Sequence, residues 1–233
     1  MNADAREVLL GPPPLRETIG DAVYRRLREA VLTGRIPMGE RINELELAAA
    51  WKISRTPIRD ALRRLGAEGL LQAAPGRGMV VPLLRRSDLE ELYALREALE
   101  GMAARRAAER ATPAFQTQLN TLIKSYGSAL KQEDLGRVVI ADDALHGAVA
   151  QMAQNRRLEE AIDVARLRVR QFHAKSFRLR GRAGKTFREM AKLVAAIRAR
   201  DAARAETSMR DHLASVGGEI ASAYDEVLGL PPL

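Results

Sequence analysis

The sequence has no cysteine, so no disulfide can staple the fold and its stability has to come from packing. That fits a reducing compartment, and a cytoplasmic location is the expectation. Aromatic residues make up only 4% of the chain, which leaves the core to aliphatic side chains; the abundance of Ala, Leu and Arg favours helix. No apolar run approaches the roughly 20 residues that cross a bilayer. The start, MNADAREVLLGPPPLRE, lacks a basic n-region followed by an apolar stretch, so neither export nor a membrane partner is expected. Acids are outnumbered: 38 Lys and Arg stand against 30 Asp and Glu, a net charge of +8. An anionic partner would explain the excess, although an Arg-rich composition alone produces the same number.

Three consecutive prolines, Pro12 to Pro14, cannot sit inside a helix. Residues 1–14 therefore read as an extended tail, with folding from Leu15. Ile19, Val23, Leu27, Ala30 and Val31 recur at helical spacing before Gly34, Pro37 and Gly39 break the pattern. A short second helix is predicted in NELELAAAW, with Asn43 as its cap, Leu45, Leu47 and Ala48 as apolar positions, and an end near Lys52. In SRTPIRDALRRL, Ser54 is placed to cap, and Pro57 fits a first turn where its missing N–H costs nothing. Ile58, Ala61, Leu62 and Leu65 then form one apolar stripe, while Arg55, Arg59, Arg63 and Arg64 face away from it against the single acid Asp60. After Gly69, two short apolar runs flank Pro75-Gly76-Arg77-Gly78, a hairpin signal with a basic tip. Helix, helix, helix, hairpin is the order of a winged helix-turn-helix, here over residues 15–82.

Such a unit suits DNA for physical reasons. A helix fits the major groove, its N-terminal side chains reach base edges, and its free N–H groups and arginines hold phosphates. An Arg-rich helix by itself is more commonly a solvated face. Here the capped entry, the preceding short helix and the wing occur together, and the combination points to DNA.

On these residues the sequence resembles the DNA-binding domain of the GntR family of bacterial transcription regulators. Tyr24 to Val81 carries the pattern SRTPIRDALRRL…EGLL…PGRG. The resemblance implies that Ser54, Arg55, Thr56 and Arg59 at the recognition helix, with Gly76 and Arg77 in the wing, contact double-stranded DNA. Many relatives have Arg in the second helix where this chain has Leu45, which implies an operator unlike the commonest form.

PLLRRSDLEEL marks a boundary: residues 83–87 read as a linker, with Ser87 capping the next helix. Residues 88–225 show helix after helix and no credible strand, a bundle of six or seven helices, and 226–233 read as a tail. The fold class is thus mainly α, a winged domain followed by an all-helical one. Leu89, Leu92, Leu95, Leu99 and Met102 share one predicted face of the first of these helices; Thr112-Pro113 starts the second. Further helices are predicted across residues 135–153, 158–177, 185–200 and 202–224. Asp142 and His146 stand four apart, a helical spacing that suits either two ligands of one divalent cation or a hydrogen-bonded pair.

Together with the winged domain, this half resembles the FadR-like subgroup of the GntR family, whose C-terminal FCD domain binds an effector and dimerises. LREALEGMAARRAAE, DDALHGAVAQMAQNRRL and AAIRARDAARAETSMRDHLASV carry that resemblance. It implies an Asp-His-His-His metal site, for Zn, Mn or Ni, to which Asp142, His146 and His212 correspond. Met190 stands where the remaining histidine is expected, and a thioether is a poor ligand for these ions. The other reading makes Asp142 and His146 a hydrogen-bonded pair and His212 a polar wall of the pocket. His173 lies outside the pattern and reads as structural. The subgroup implies a small carboxylate effector, with Arg96, His146 and His212 as expected contacts, while Arg96 could instead pair with Glu100 at i,i+4. From Arg166 to Arg188 there are nine Lys or Arg and no acid, which could line the pocket, bind phosphate or face solvent.

The functional expectation is a homodimeric repressor on a palindromic operator, controlled by a metabolite. One recognition helix reads only a few base pairs, and two give useful affinity. The alternative is a metal-dependent enzyme acting on a small acid through Asp142, His146 and His212. Against it, the sequence offers no convincing general base, nucleophile or Gly-rich cofactor loop.

Overall fold

The computed structural model describes residues 18–74 and 78–229, and the expected N-terminal tail lies outside them. Helix α1 (Ile19–Leu32) starts where the Thr18 hydroxyl accepts the Asp21 N–H. Its residues Val23, Leu27 and Val31 turn inward, whereas Ile19, expected on the same stripe, is exposed. Helix α2 (Glu44–Trp51) begins at Asn43, whose side chain accepts the Leu45 N–H, and ends at Lys52 in the left-handed region. Helix α3 (Arg55–Ala67) follows two residues later. Ser54 occupies its N-cap position in an extended conformation, but its side chain makes no capping hydrogen bond. The predicted stripe holds: Ile58, Ala61, Leu62 and Leu65 are all buried against α1 and the sheet.

Three antiparallel strands complete this domain: β1 (Arg41–Ile42), β2 (Gln72–Ala74) and β3 (Gly78–Val80), in the order β1-β3-β2. The wing is the β2–β3 pair, and Arg41 stands opposite Val80 across β1–β3. Strand β1 was not anticipated, because two residues are too few for an alternating pattern to show. Of the wing tip, Gly76 and Arg77 lie outside the described residues.

Helix α4 (Arg86–Glu109) starts earlier than expected, so the linker is shorter than 83–87. Arg85, not Ser87, is the N-cap: the Asp88 carboxylate accepts the Arg85 backbone N–H at 2.7 Å and its guanidinium at 2.9 Å. The buried face of α4 also differs from the predicted one. Leu89, Tyr93, Arg96, Glu100, Ala104 and Ala107 point inward, while Leu95 and Met102 are 48% and 52% exposed. The inward face is set by α9 (Ala202–Ser222), which packs closely on α4. At Gly217 an added Cβ would lie 2.8 Å from the Tyr93 ring, so glycine is what permits the approach.

The remaining helices are α5 (Pro113–Lys131), α6 (Leu135–Met152), α7 (Arg156–Ser176), α8 (Arg182–Arg198) and α10 (Tyr224–Gly229). Thr112 caps α5 through the Phe115 N–H, with Pro113 in the first turn as expected. The bundle α4–α10 thus has seven helices among the described residues. The expected tail from 226 needs correction: α10 runs through residue 229 and Val227 is fully buried in the bundle core. Its apolar side chain finds a pocket that the polar neighbours Asp225 and Glu226 conceal in the sequence.

Helix α7 joins the domains. The Gln171 amide donates to the carbonyls of Val31 and Ile36, closing the C-terminal end of α1, where helix carbonyls lack intrahelical partners. Leu167 packs on the small domain's core, and Tyr224 donates to the Leu84 carbonyl at 2.7 Å.

Candidate DNA interface and effector site

The basic face of α3 is open. Arg55 and Arg59 extend from it with about half their side-chain surface exposed, and both reach one carboxylate: Glu44 Oε2 accepts from each at 3.1 Å. Glu44 is the second residue after β1 and opens α2, so the helix-turn-helix angle brings it beside the first two turns of α3. The hydrogen bond from Arg59, then that from Arg55, hold its carboxyl below the usual range despite partial burial. A groove of about 530 Å³ runs between α3 and the sheet, edged by Arg41, Arg55, Arg59, Arg63 and Gly78. Leu45 stands 61% exposed on its rim. Ser54 and Thr56 lie at the exposed start of α3, so four of the six expected DNA contacts share one end of this face, the two wing positions being outside the described residues. Glu44 was missed by the sequence reading, since nothing local to NELEL shows that its acid meets arginines eleven and fifteen residues on.

In the bundle, α4, α6, α7, α8 and α9 bring a polar group into an apolar core. Asp142, His146 and His212 are each at most 2% exposed, as are Arg96 and Glu100. Arg96 Nε donates to Glu100 Oε1 at 2.7 Å, so the i,i+4 pair forms and is buried. The other Glu100 oxygen meets His146 Nδ1, and His212 Nδ1 meets Glu189 Oε2 at 2.9 Å. Each Nδ1 thus faces a carboxylate, and neither Nε2 has a hydrogen-bond partner; Asp142 Oδ1 has none either. His173 belongs to this group: its Nε2–H donates to Asp142 Oδ2 at 2.8 Å, and its Nδ1 faces the Tyr93 hydroxyl. His173, expected to lie outside the pattern, is instead bonded to Asp142 at the centre of the group. Met190 is fully buried in the surrounding apolar core.

The electrostatics follow from these contacts. Burial pushes the Asp142 carboxyl up, but the His173 hydrogen bond and the neighbouring imidazoles outweigh it, and the net shift is downward. Burial likewise opposes ionisation of Glu100, and Arg96 and His146 overcome it. His212 is pushed down to about 4, chiefly by burial, with Glu189 opposing. It is therefore neutral near pH 7.

The donor set has the chemistry of a metal site, yet its spacing is not that of one. Asp142 Oδ2 is taken by His173 and stands 3.8 Å from His146 Nε2. No three carboxylate or imidazole groups among the described residues are arranged to hold a metal ion. The opening bounded by Arg96, Asp142, His146 and His173 has about 10 Å³ of free space, scarcely a water's worth. Further donors without partners are buried in the same bundle: Arg182 Nε and Nη2 and the Thr186 hydroxyl. The buried Tyr126 hydroxyl faces the Asp142 carboxylate, with Arg182 also near; burial first, then Asp142, pushes its pKa up. Arg182 is 2% exposed and donates only Nη1, to Glu219 at 2.7 Å. Of the basic run 166–188, Arg182 is thus buried, Arg166 and Arg170 pair with Asp143, and Arg180 and Arg188 are not among the buried residues. The run splits by helix face, and it is not one patch.

Comparison with known proteins agrees with this architecture. Residues 19–81 match the family described as bacterial regulatory proteins, gntR family, and residues 91–215 match the FCD domain. An uncharacterized HTH-type transcriptional regulator of Agrobacterium vitis, from the TAR-I ttuE-ttuC' intergenic region, is 33% identical over 57% of this chain and 85% of its own length. The HTH-type transcriptional repressor RspR of Escherichia coli (strain K12) is 25% identical over 90% of this chain and 92% of its own. A putative GntR transcriptional regulator from Rhodococcus sp. RHA1 has the same fold, with a TM-score of 0.76 at 23% identity, covering 88% of this chain and 98% of that one. These relatives are regulators, which sets the enzyme alternative aside. No helix among the described residues is long and apolar enough to cross a membrane. A winged domain with an open arginine face, joined through α7 to a seven-helix bundle, thus makes the chain a DNA-binding transcription regulator, a member of the GntR family with a C-terminal FCD domain.

Proposed function

We propose that the protein is a homodimeric repressor whose grip on a palindromic operator is set by a small carboxylate in the C-terminal bundle. The observation that carries the effector part is the set of buried donors without partners at Arg182 and Thr186 of α8, in the bundle that also buries the Asp142 group. Leaving such donors unpaired is costly, and a carboxylate would satisfy them. Arg96, His146 and His212 remain contacts in this reading, with Arg182 supplying the charge that Arg96 directs at Glu100. Because the opening is small, entry requires the bundle to part. Exposed Leu95 and Met102 on α4 and Ile140 on α6 supply apolar surface for a second copy. Repression follows the name of one relative, RspR.

Helix α7 supports a physical route for control. His173 is bonded to Asp142, and Gln171, two residues earlier, is bonded to the end of α1. An effector that displaces His173 would move the attachment of the winged domain, provided it binds the two placements unequally.

Selection of genomic fragments by the purified protein tests the reading. A short palindrome should be enriched, and Arg59→Ala should weaken binding to it by about 1–3 kcal/mol with relaxed preference at one base pair. No enriched site would overturn the operator model, and full affinity in the variant would remove Arg59 from the contact.

A divalent cation, Zn, Mn or Ni, is a separate proposal. Asp142 Oδ1, His146 Nε2 and His212 Nε2 would supply three ligands after closing up from their present spacing, the carboxylate partners of the two rings keeping each Nε2 available. Elemental analysis after dialysis against zinc should give about one equivalent, lost in His212→Gln. Trace levels in the unaltered protein after dialysis against zinc, manganese and nickel in turn would exclude the metal.

A further inference from the structure

A second cavity, of about 290 Å³, lies between the two domains and is separate from the Asp142 group. Leu32, Leu70 and Leu71 of the winged domain form one wall; Leu84 and Leu167 form the other. Its volume is near the small end of the range for ligand pockets, about 300–1,000 Å³. Three polar side chains line it, the exposed Gln72 together with Gln171 and Arg168, and the last two each have an unmet need. Gln171, 8% exposed, directs its amide nitrogen at the Val31 and Ile36 carbonyls, and its Oε1 has no partner. Arg168 lies at the exposed edge, with its guanidinium over Gly69, where an added Cβ would be 3.3 Å from two of its nitrogens. No hydrogen bond or ion pair engages that guanidinium among the described residues, although Arg166 and Arg170 on the same helix both pair with Asp143.

An apolar chamber, a buried acceptor and an unpaired cation at the mouth together specify a ligand. We propose that this cavity binds a small amphipathic acid. Its carboxylate sits on Arg168, its apolar body lies among Leu32, Leu70 and Leu71, and a hydroxyl or N–H donor turns to Gln171 Oε1. The walls come from both domains, so an occupant favours the one domain placement in which the cavity exists. The site would therefore act on DNA binding directly, without passing through the bundle interior.

Calorimetric titration of the full chain with 4-phenylbutyrate, its 3-hydroxy derivative and the uncharged 4-phenylbutanol tests the assignment. The acid should bind at least about tenfold more tightly than the alcohol, since a charge-assisted hydrogen bond to Arg168 is lost in the latter. The hydroxy acid should bind more tightly than its parent. Arg168→Gln changes an exposed side chain and should lower acid affinity about tenfold while leaving the alcohol unaffected. Leu84→Trp, at a half-buried position, should block all three ligands, and Tyr126→Phe in the bundle should change none. Equal binding of acid and alcohol, unaltered binding in Arg168→Gln, loss of binding in Tyr126→Phe, or no binding at millimolar acid would each overturn the proposal.

Discussion

Glu100→Ala is expected to lower the stability of the helical bundle by about 3–5 kcal/mol, the range for breaking a buried ion pair from one side. Glu100 is 2% exposed and serves two buried partners, Arg96 and His146 Nδ1. Removing the carboxylate leaves the Arg96 charge, also 2% exposed, with the Tyr93 ring as its remaining close partner. A cation–π contact is worth about 0.5–2 kcal/mol, which does not replace the lost ion pair. Urea unfolding followed by the bundle's helical signal measures the effect, and Glu100→Gln, which keeps the volume and one acceptor, should lose less. A change below about 1 kcal/mol in Glu100→Ala would mean that water reaches Arg96 and that the site is wetter than its burial indicates.

Leu62→Asp should unfold the winged domain and abolish operator binding while the bundle stays folded. Leu62 is 2% exposed between Ile58 and Leu65 in a core built from α1, α3 and the sheet. A carboxylate there loses its hydration among apolar neighbours, a cost of several kcal/mol against a small domain's modest stability. Hydrogen exchange distinguishes this from a contact mutation. Amides of α1 and α3 should lose protection in Leu62→Asp and keep it in Arg59→Ala, although both variants bind DNA less well. Retained protection in Leu62→Asp would show that the aspartate escapes to solvent and that the stripe is not the domain's core.

Periodicity made the recognition helix legible. The spacing of Ile58, Ala61, Leu62 and Leu65 requires a helix with one buried side, and once that side is fixed the arginines must face out. The same logic failed on α4. Counting apolar residues placed Leu95 and Met102 inside, whereas Arg96 and Glu100 are the residues buried there. A charged pair is counted as surface by any hydropathy pattern, because its desolvation is offset by partners that only the fold supplies. Gly217 belongs to the same lesson: its missing side chain lets α9 close on Tyr93, and nothing in its own neighbourhood of the chain announces that.

The polar site divides in the same way. Asp142 and His146 were legible because helical spacing puts residues four apart on one face. His173 was not, since its bond to Asp142 crosses 31 residues and two helices. Glu44, the shared partner of Arg55 and Arg59, and Arg182, with its unpartnered nitrogens, escaped for the same reason. By itself the sequence determined the helices, the caps at Asn43 and Thr112, the winged order and the arginine-bearing outer side of α3, all of which rest on interactions within a few residues. Which charges are buried, which donors are left without partners and how α7 ties the bundle to α1 were decided only by the tertiary structure, because each depends on groups distant in the chain that packing brings within hydrogen-bonding reach.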